Sequence, residues 1–148
     1  MEKPLVLLVD DNEATCTLIS AILRADFAVE VANDGSEAIA KLQSRDYSAV
    51  LLDLLMPIVD GYGVLDFVKE ARPDLLPRVL VVTASLSTRH MERVRSYGVC
   101  GVVSKPFQVD ALHAAVHHCV GDSDADPLRG PLLSSSVIFL VGELLKKV

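Results

Sequence analysis

Asp53 ends the run Ala49-Val50-Leu51-Leu52-Asp53-Leu54-Leu55-Met56-Pro57. Four apolar residues lead into a carboxylate, and a Met-Pro turn signal follows. Three other apolar runs also end in polar groups. Leu5 to Val9 is followed by Asp10-Asp11, Val79 to Val82 by Thr83, and the run containing Val102 and Val103 by Ser104-Lys105. Three carboxylates gathered in one place repel each other, so one is protonated or a cation is bound. Oxygen ligands with no histidine or cysteine beside them select a hard ion such as Mg2+. A hydroxyl and an ammonium beside such a site suit an incoming phosphoryl group, whose spreading charge they would offset. Asp53 would then be the nucleophile and carry an acyl phosphate.

This chemistry requires the four run ends to meet. Short, continuous aliphatic runs bounded by turn signals read as buried strands of a parallel sheet. Between them lie helical stretches. Asn12 or Asp11 caps the first, with apolar positions at Ala14, Leu18, Ile19 and Ile22. Ala28 to Val31 is a second, shorter strand. Asn33-Asp34-Gly35-Ser36 is a turn followed by a cap, and Glu37 to Gln43 continues as a helix. A helix over about Tyr62 to Ala71 follows the Met56–Gly61 loop and stops at Arg72-Pro73-Asp74. Ser87 or Thr88 caps a helix to Tyr97, ended by Gly98. Val109 to Cys119 is the last helix of the unit. Five strands alternating with five helices argue a doubly wound α/β sheet. In such sheets ligands bind at the carboxyl ends of the strands, where all four polar groups stand.

The 148 residues suggest one domain with an appendage. An apolar share of 51% is enough for a full core. The net charge of −6 and the lack of a basic block argue against direct nucleic-acid binding. No stretch has the length of a membrane span or a secretory signal. Cys16, Cys100 and Cys119 are odd in number and widely spaced, which suits a reducing compartment and ordinary thiols rather than a disulfide framework. The expected location is the cytoplasm.

Taken in order, these residues resemble the receiver domain of two-component response regulators, the chemotaxis-type receiver family, over roughly residues 3 to 120. The resemblance rests on Asp10-Asp11, on Asp53 in Asp-Leu-Leu-Met-Pro-Ile-Val-Asp-Gly, on Thr83-Ala84 and on Lys105-Pro106-Phe107. Each is weak alone: an acidic pair is usually a cap, and Lys-Pro is usually a turn. The ordered set is specific. It implies a flavodoxin-like fold with strand order 2-1-3-4-5. It implies a signalling switch in a phosphorelay, a phosphoacceptor rather than an enzyme, with Asp53 phosphorylated by a histidine kinase or phosphotransfer protein. Asp11, Asp53 and the backbone carbonyl of Leu55 would bind Mg2+ directly, and Asp10 through water. Lys105 would contact the phosphoryl group, Thr83 would move toward it, and the Lys105–Pro106 bond would be cis. The fourth helix, fifth strand and fifth helix would form the output face. The family usually has an aromatic residue three places before the lysine. Val102 stands there, so the expected switching runs through backbone shifts rather than ring rotation. Leu55 also separates the chain from aspartate-nucleophile phosphatases, which carry a second aspartate at that place. The alternative reading is a phosphorylation-independent interaction or dimerisation module.

The expected organisation is a receiver over 1–120, a polar linker over 121–133, and an amphipathic helix over 134–148. That helix would pack back, form a homodimer or begin a longer output segment. Asp60-Gly61 reads as a turn and helix start. His113, His117 and His118 read as a solvated helix face rather than as metal ligands, since no carboxylate-plus-histidine signature accompanies them.

Overall fold

The computed structural model describes residues 2–84 and 87–121. The expected linker beyond Gly121, the helix over 134–148 and Ser85 lie outside the described residues. Five parallel strands form one sheet: β1 (Leu5–Val9), β2 (Ala28–Ala32), β3 (Ala49–Leu52), β4 (Val79–Thr83) and β5 (Gly101–Ser104). Their order is β2-β1-β3-β4-β5. The helices are α1 (Glu13–Leu23), α2 (Gly35–Ser44), α3 (Gly61–Ala71), α4 (Thr88–Ser96) and α5 (Val109–Val120). The sheet is parallel and doubly wound, as the alternation predicts, and its strand order is the flavodoxin-like one that the resemblance implies.

Two apolar layers follow from the period-two alternation of strand side chains. Val6, Leu8, Leu51, Leu80, Val82 and Val103 pack under α1 and α5. Leu7, Val9, Val50, Leu52, Val81 and Val102 pack under α2, α3 and α4. Both faces are covered, so β1, β3 and β4 are apolar almost throughout. β2, at the edge, is only partly buried.

Local signals set the helix starts. Asn12 accepts from Thr15 N at 2.9 Å and Asp34 from Glu37 N at 2.7 Å. Glu37 accepts from Asn33 N at 3.1 Å, one residue before the cap, which ties down the turn that leads into the helix. Asp60 accepts from Gly63 N at 3.0 Å, and Ser87 from His90 N at 3.2 Å. Gly98 supplies φ 79° after α4, a conformation that favours glycine.

Three expectations are corrected. The buried stripe of α1 is Cys16, Ile19, Ser20 and Leu23, whereas Leu18 is 52% exposed and Ala14 is also exposed. Apolar residues lie around much of this helix, so its spacing left the buried side open and the sheet selected it. Pro73–Arg78 forms a 3₁₀ helix where the sequence suggested only a stop. Cys100 and Cys119 are not separate thiols. They form a disulfide with a Cα–Cα distance of 5.8 Å, joining the residue before β5 to the last turn of α5. Cys16 is free and buried. Burial, reinforced by the charge of Asp10, pushes its thiol up to about 11, so it stays protonated at neutral pH.

Candidate functional site

β1 and β3 are neighbours with β2 and β4 outside them, so chain direction diverges at their carboxyl ends. This is a topological switch point, where open α/β sheets form a crevice. The backbone ladder runs one residue past each strand. Asp10 N donates to Ala32 O at 3.1 Å, and Asp53 N to Val9 O at 3.0 Å. Those bonds fix the two carboxylates side by side. Asp10 is 2% exposed and Asp53 7%. Asp11 is exposed at the rim, and carboxylate oxygens of Asp10, Asp11 and Asp53 lie within 4.8 Å of one another.

Lys105 arrives from the end of β5. Its backbone N donates to Thr83 O at 3.0 Å, which holds the two strand ends together. Its Nζ donates to Asp10 Oδ2 at 2.7 Å and to Asp53 Oδ2 at 3.4 Å. The Lys105–Pro106 peptide is cis, as the resemblance implied. Thr83 is fully buried at the end of β4. Leu55 N donates to Asp53 Oδ1 at 3.3 Å, while the Leu55 residue is 56% exposed beside the site. Every residue expected at the site is therefore at one edge of the sheet. Val102 lies deeper, 1% exposed and paired with Val81 in the β4–β5 register. It is part of the core, two residues before Ser104 on the face it shares with Thr83.

The electrostatics follow from this geometry. Burial raises the Asp53 carboxyl above its ordinary pKa; the Lys105 charge opposes the rise, and the Asp10 charge adds to it. Burial pulls Lys105 down, but its hydrogen bond to Asp10 and the Asp53 charge win, and its pKa ends up raised. One ammonium thus faces three carboxylates, a local excess of negative charge. A pocket of oxygen donors with that excess fits a hard divalent cation. Its ligand set contains no histidine or thiol that would favour a softer ion.

The loop after Asp53 shows two features that the sequence did not signal. Ile58 is held at φ 68° and is 99% exposed. Gly61 packs directly against the strand end. A Cβ there would stand 2.4 Å from Asp53 O and 2.6 Å from Leu54 Cα. Gly61 N also donates to Leu54 O at 3.0 Å. Gly61→Ala is expected to cost about 2 kcal/mol, because backbone rather than a flexible side chain must move. Urea unfolding of the variant checks this, and an unchanged midpoint would contradict it.

Comparison with known proteins agrees with the geometry. Residues 6–117 match the response regulator receiver domain family. The transcriptional regulatory protein ZraR of Escherichia coli O157:H7 is 28% identical over 139 residues, which cover 93% of this chain and 31% of ZraR. The chain therefore spans about a third of that relative. The chemotaxis protein CheY of Halobacterium salinarum is 31% identical over 112 residues, covering 75% of this chain and 92% of CheY. Among solved structures, the receiver domain of sensor histidine kinase PA1611 from Pseudomonas aeruginosa aligns with a TM-score of 0.73 and 26% identity. That alignment covers 80% of this chain and 98% of the other, whose active-site cleft holds a magnesium ion. With the matched family spanning most of the described residues and the acidic pocket at the switch point, the chain belongs to the response regulator receiver domain family, a family of phosphoacceptors in two-component signalling.

Proposed function

We propose that Asp53 accepts a phosphoryl group from a phosphohistidine and that the domain reports its presence as a signalling switch. The observation that carries this reading is the meeting of Asp53, Asp10, Asp11 and Lys105 at one sheet edge. In the reaction, an Asp53 carboxylate oxygen attacks phosphorus, the phosphorus–nitrogen bond of the donor breaks, and an acyl phosphate forms. The imidazole departs with its electron pair and takes up a proton. Lys105 is already within reach of Asp53 and offsets charge on the phosphoryl oxygens. Thr83 supplies a hydroxyl at the neighbouring strand end. Mg2+ held by Asp11, Asp53 and the Leu55 carbonyl, with Asp10 acting through water, would neutralise the remaining charge. Lys105 alone leaves the three gathered carboxylates with an excess of negative charge, so phosphotransfer would depend on the ion.

The output is proposed to leave through the face of α4, β5 and α5. Val102 gives no ring to rotate, so backbone movement would carry the change. The proposed donor is a histidine kinase or a phosphotransfer protein. The proposed organisation keeps 1–120 as the receiver, with the segment beyond it as linker and dimerising or partner-binding helix. The proposed location is the cytoplasm, with the Cys100–Cys119 disulfide as the observation that pulls against it. No helix among the described residues is long and apolar enough to cross a membrane.

Intact mass after incubation with acetyl phosphate and Mg2+ tests the reading. One phosphoryl mass is expected with metal and none after chelation. No gain, together with no beryllofluoride binding, would overturn it in favour of a phosphorylation-independent interaction module.

A further inference from the structure

At the opposite edge of the sheet, three side chains that the phosphoryl chemistry does not use come together. Asp26 sits in the connection between α1 and β2. His113 and His117 lie one turn apart on α5. His113 Nε2 is 2.5 Å from Asp26 Oδ2, and His117 Nε2 is 3.2 Å from the same oxygen. The two imidazole rings are 4.5 Å apart, and one candidate ligand atom from each residue lies within 4.8 Å of the others. The helix face read as solvated is partly exposed, and the fold brings a carboxylate to it from 87 residues away.

We propose that Asp26, His113 and His117 form a binding site for a divalent first-row transition ion of the zinc class. Two histidines at i and i+4 on one helix face, with a carboxylate across from them, supply the nitrogen and oxygen donors that such ions take. Ligand bonds of roughly 2.0–2.2 Å place tetrahedral ligand atoms about 3.3 Å apart. The His117–Asp26 separation of 3.2 Å is already close to that value. The His113–Asp26 pair must open by about 0.8 Å, which exposed side chains on a loop and a helix can do. The donors remain reachable, since the side chains are 36%, 19% and 42% exposed for His113, His117 and Asp26. Phe27, 2% exposed and 4.8 Å from the His117 ring, braces one wall. A groove of about 400 Å³ lined by Pro4, Asp26, Phe27, His117 and Val120 leaves room for water or a further ligand. The acidic pocket around Asp53 offers oxygen alone, so the two sites select different ions. An ion here would tie the α1–β2 connection to α5.

The test is isothermal titration of the full chain with Zn2+ in excess Mg2+, which saturates the acidic pocket. One equivalent is expected, with at least tenfold weaker binding in His113→Gln, His117→Gln and Asp26→Asn and unchanged binding in Asp53→Asn. His118→Gln controls for adventitious histidine binding and is expected to bind as the wild type. The thermal midpoint of the wild type should also rise with Zn2+, and that rise should vanish in the three variants. Absence of binding, equal affinity in the three variants, or loss in Asp53→Asn instead would each overturn the proposal. Far-UV circular dichroism of each variant without metal separates lost ligands from lost fold.

Discussion

Asp53→Asn will abolish phosphoryl uptake and will raise the thermal midpoint of the same chain. The loss is complete because an amide oxygen is not the nucleophile that a carboxylate is, and Asp10 and Asp11 sit outside the attacking position proposed for Asp53. The gain in stability has a separate origin. Burial and the Asp10 charge raise the Asp53 carboxyl, with Lys105 only partly opposing them. The folded chain therefore holds that proton more tightly than the unfolded chain. At neutral pH the ionised group costs stability, and the cost shrinks as pH falls toward the folded pKa. Asparagine removes the charge and keeps the shape, while Lys105 retains Asp10 at 2.7 Å. The expected gain is about 1 kcal/mol, or several degrees in Tm, as when a functional residue is held at a cost to the fold. Mass spectrometry and a thermal melt in chelator read the two effects independently. A phosphorylated Asp53→Asn would assign a different acceptor. A lower midpoint would mean that the three carboxylates do not repel each other in the folded chain.

Reduction of the Cys100–Cys119 disulfide will cost about 3 kcal/mol of stability. The bond spans 19 residues, and freeing a loop of that size returns entropy of this order to the unfolded chain. It joins the entry to β5 with the end of α5, so most of the proposed output face lies inside the closed loop. Cys119 is nearly buried, at 4% exposed, and packs in the layer of Leu112, Ala115 and Val116 under α5. Serine at both positions would add the smaller burden of polar groups in that layer. The measurement is urea unfolding with and without reductant. The wild-type midpoint should drop on reduction, and Cys100→Ser/Cys119→Ser should ignore the reductant. Equal midpoints for the oxidised and reduced wild type would show that the bond contributes nothing.

The local run of residues determined most of the proposed phosphoryl-transfer site. Each of Asp10, Asp53, Thr83 and Lys105 stands at or just after the end of a short aliphatic run, and such runs bounded by turn signals read as strands buried on both faces. Parallel strands joined by helices place all their carboxyl ends on one edge, so four residues far apart in sequence had to share it. The helix starts were legible as short polar stretches, and the structure settled the caps within them on Asn12, Asp34 and Ser87, each of which satisfies its own helix within three residues. Features that depend on how one element sits against another were not legible. α1 is apolar on more than one side, and only docking on the sheet chose Ile19 and Leu23 over Leu18. Gly61 matters because of a backbone contact with Asp53 that no spacing reveals. Cys100 meets Cys119, and Asp26 meets His113 and His117, because α5 crosses back over the sheet to pack beside α1. Period and propensity act over one element, whereas these partners are chosen by the crossover and rotation of a whole helix. The sequence by itself therefore determined the acidic cluster and lysine at the switch point, and the tertiary structure alone decided the disulfide and the carboxylate–histidine cluster at the far edge.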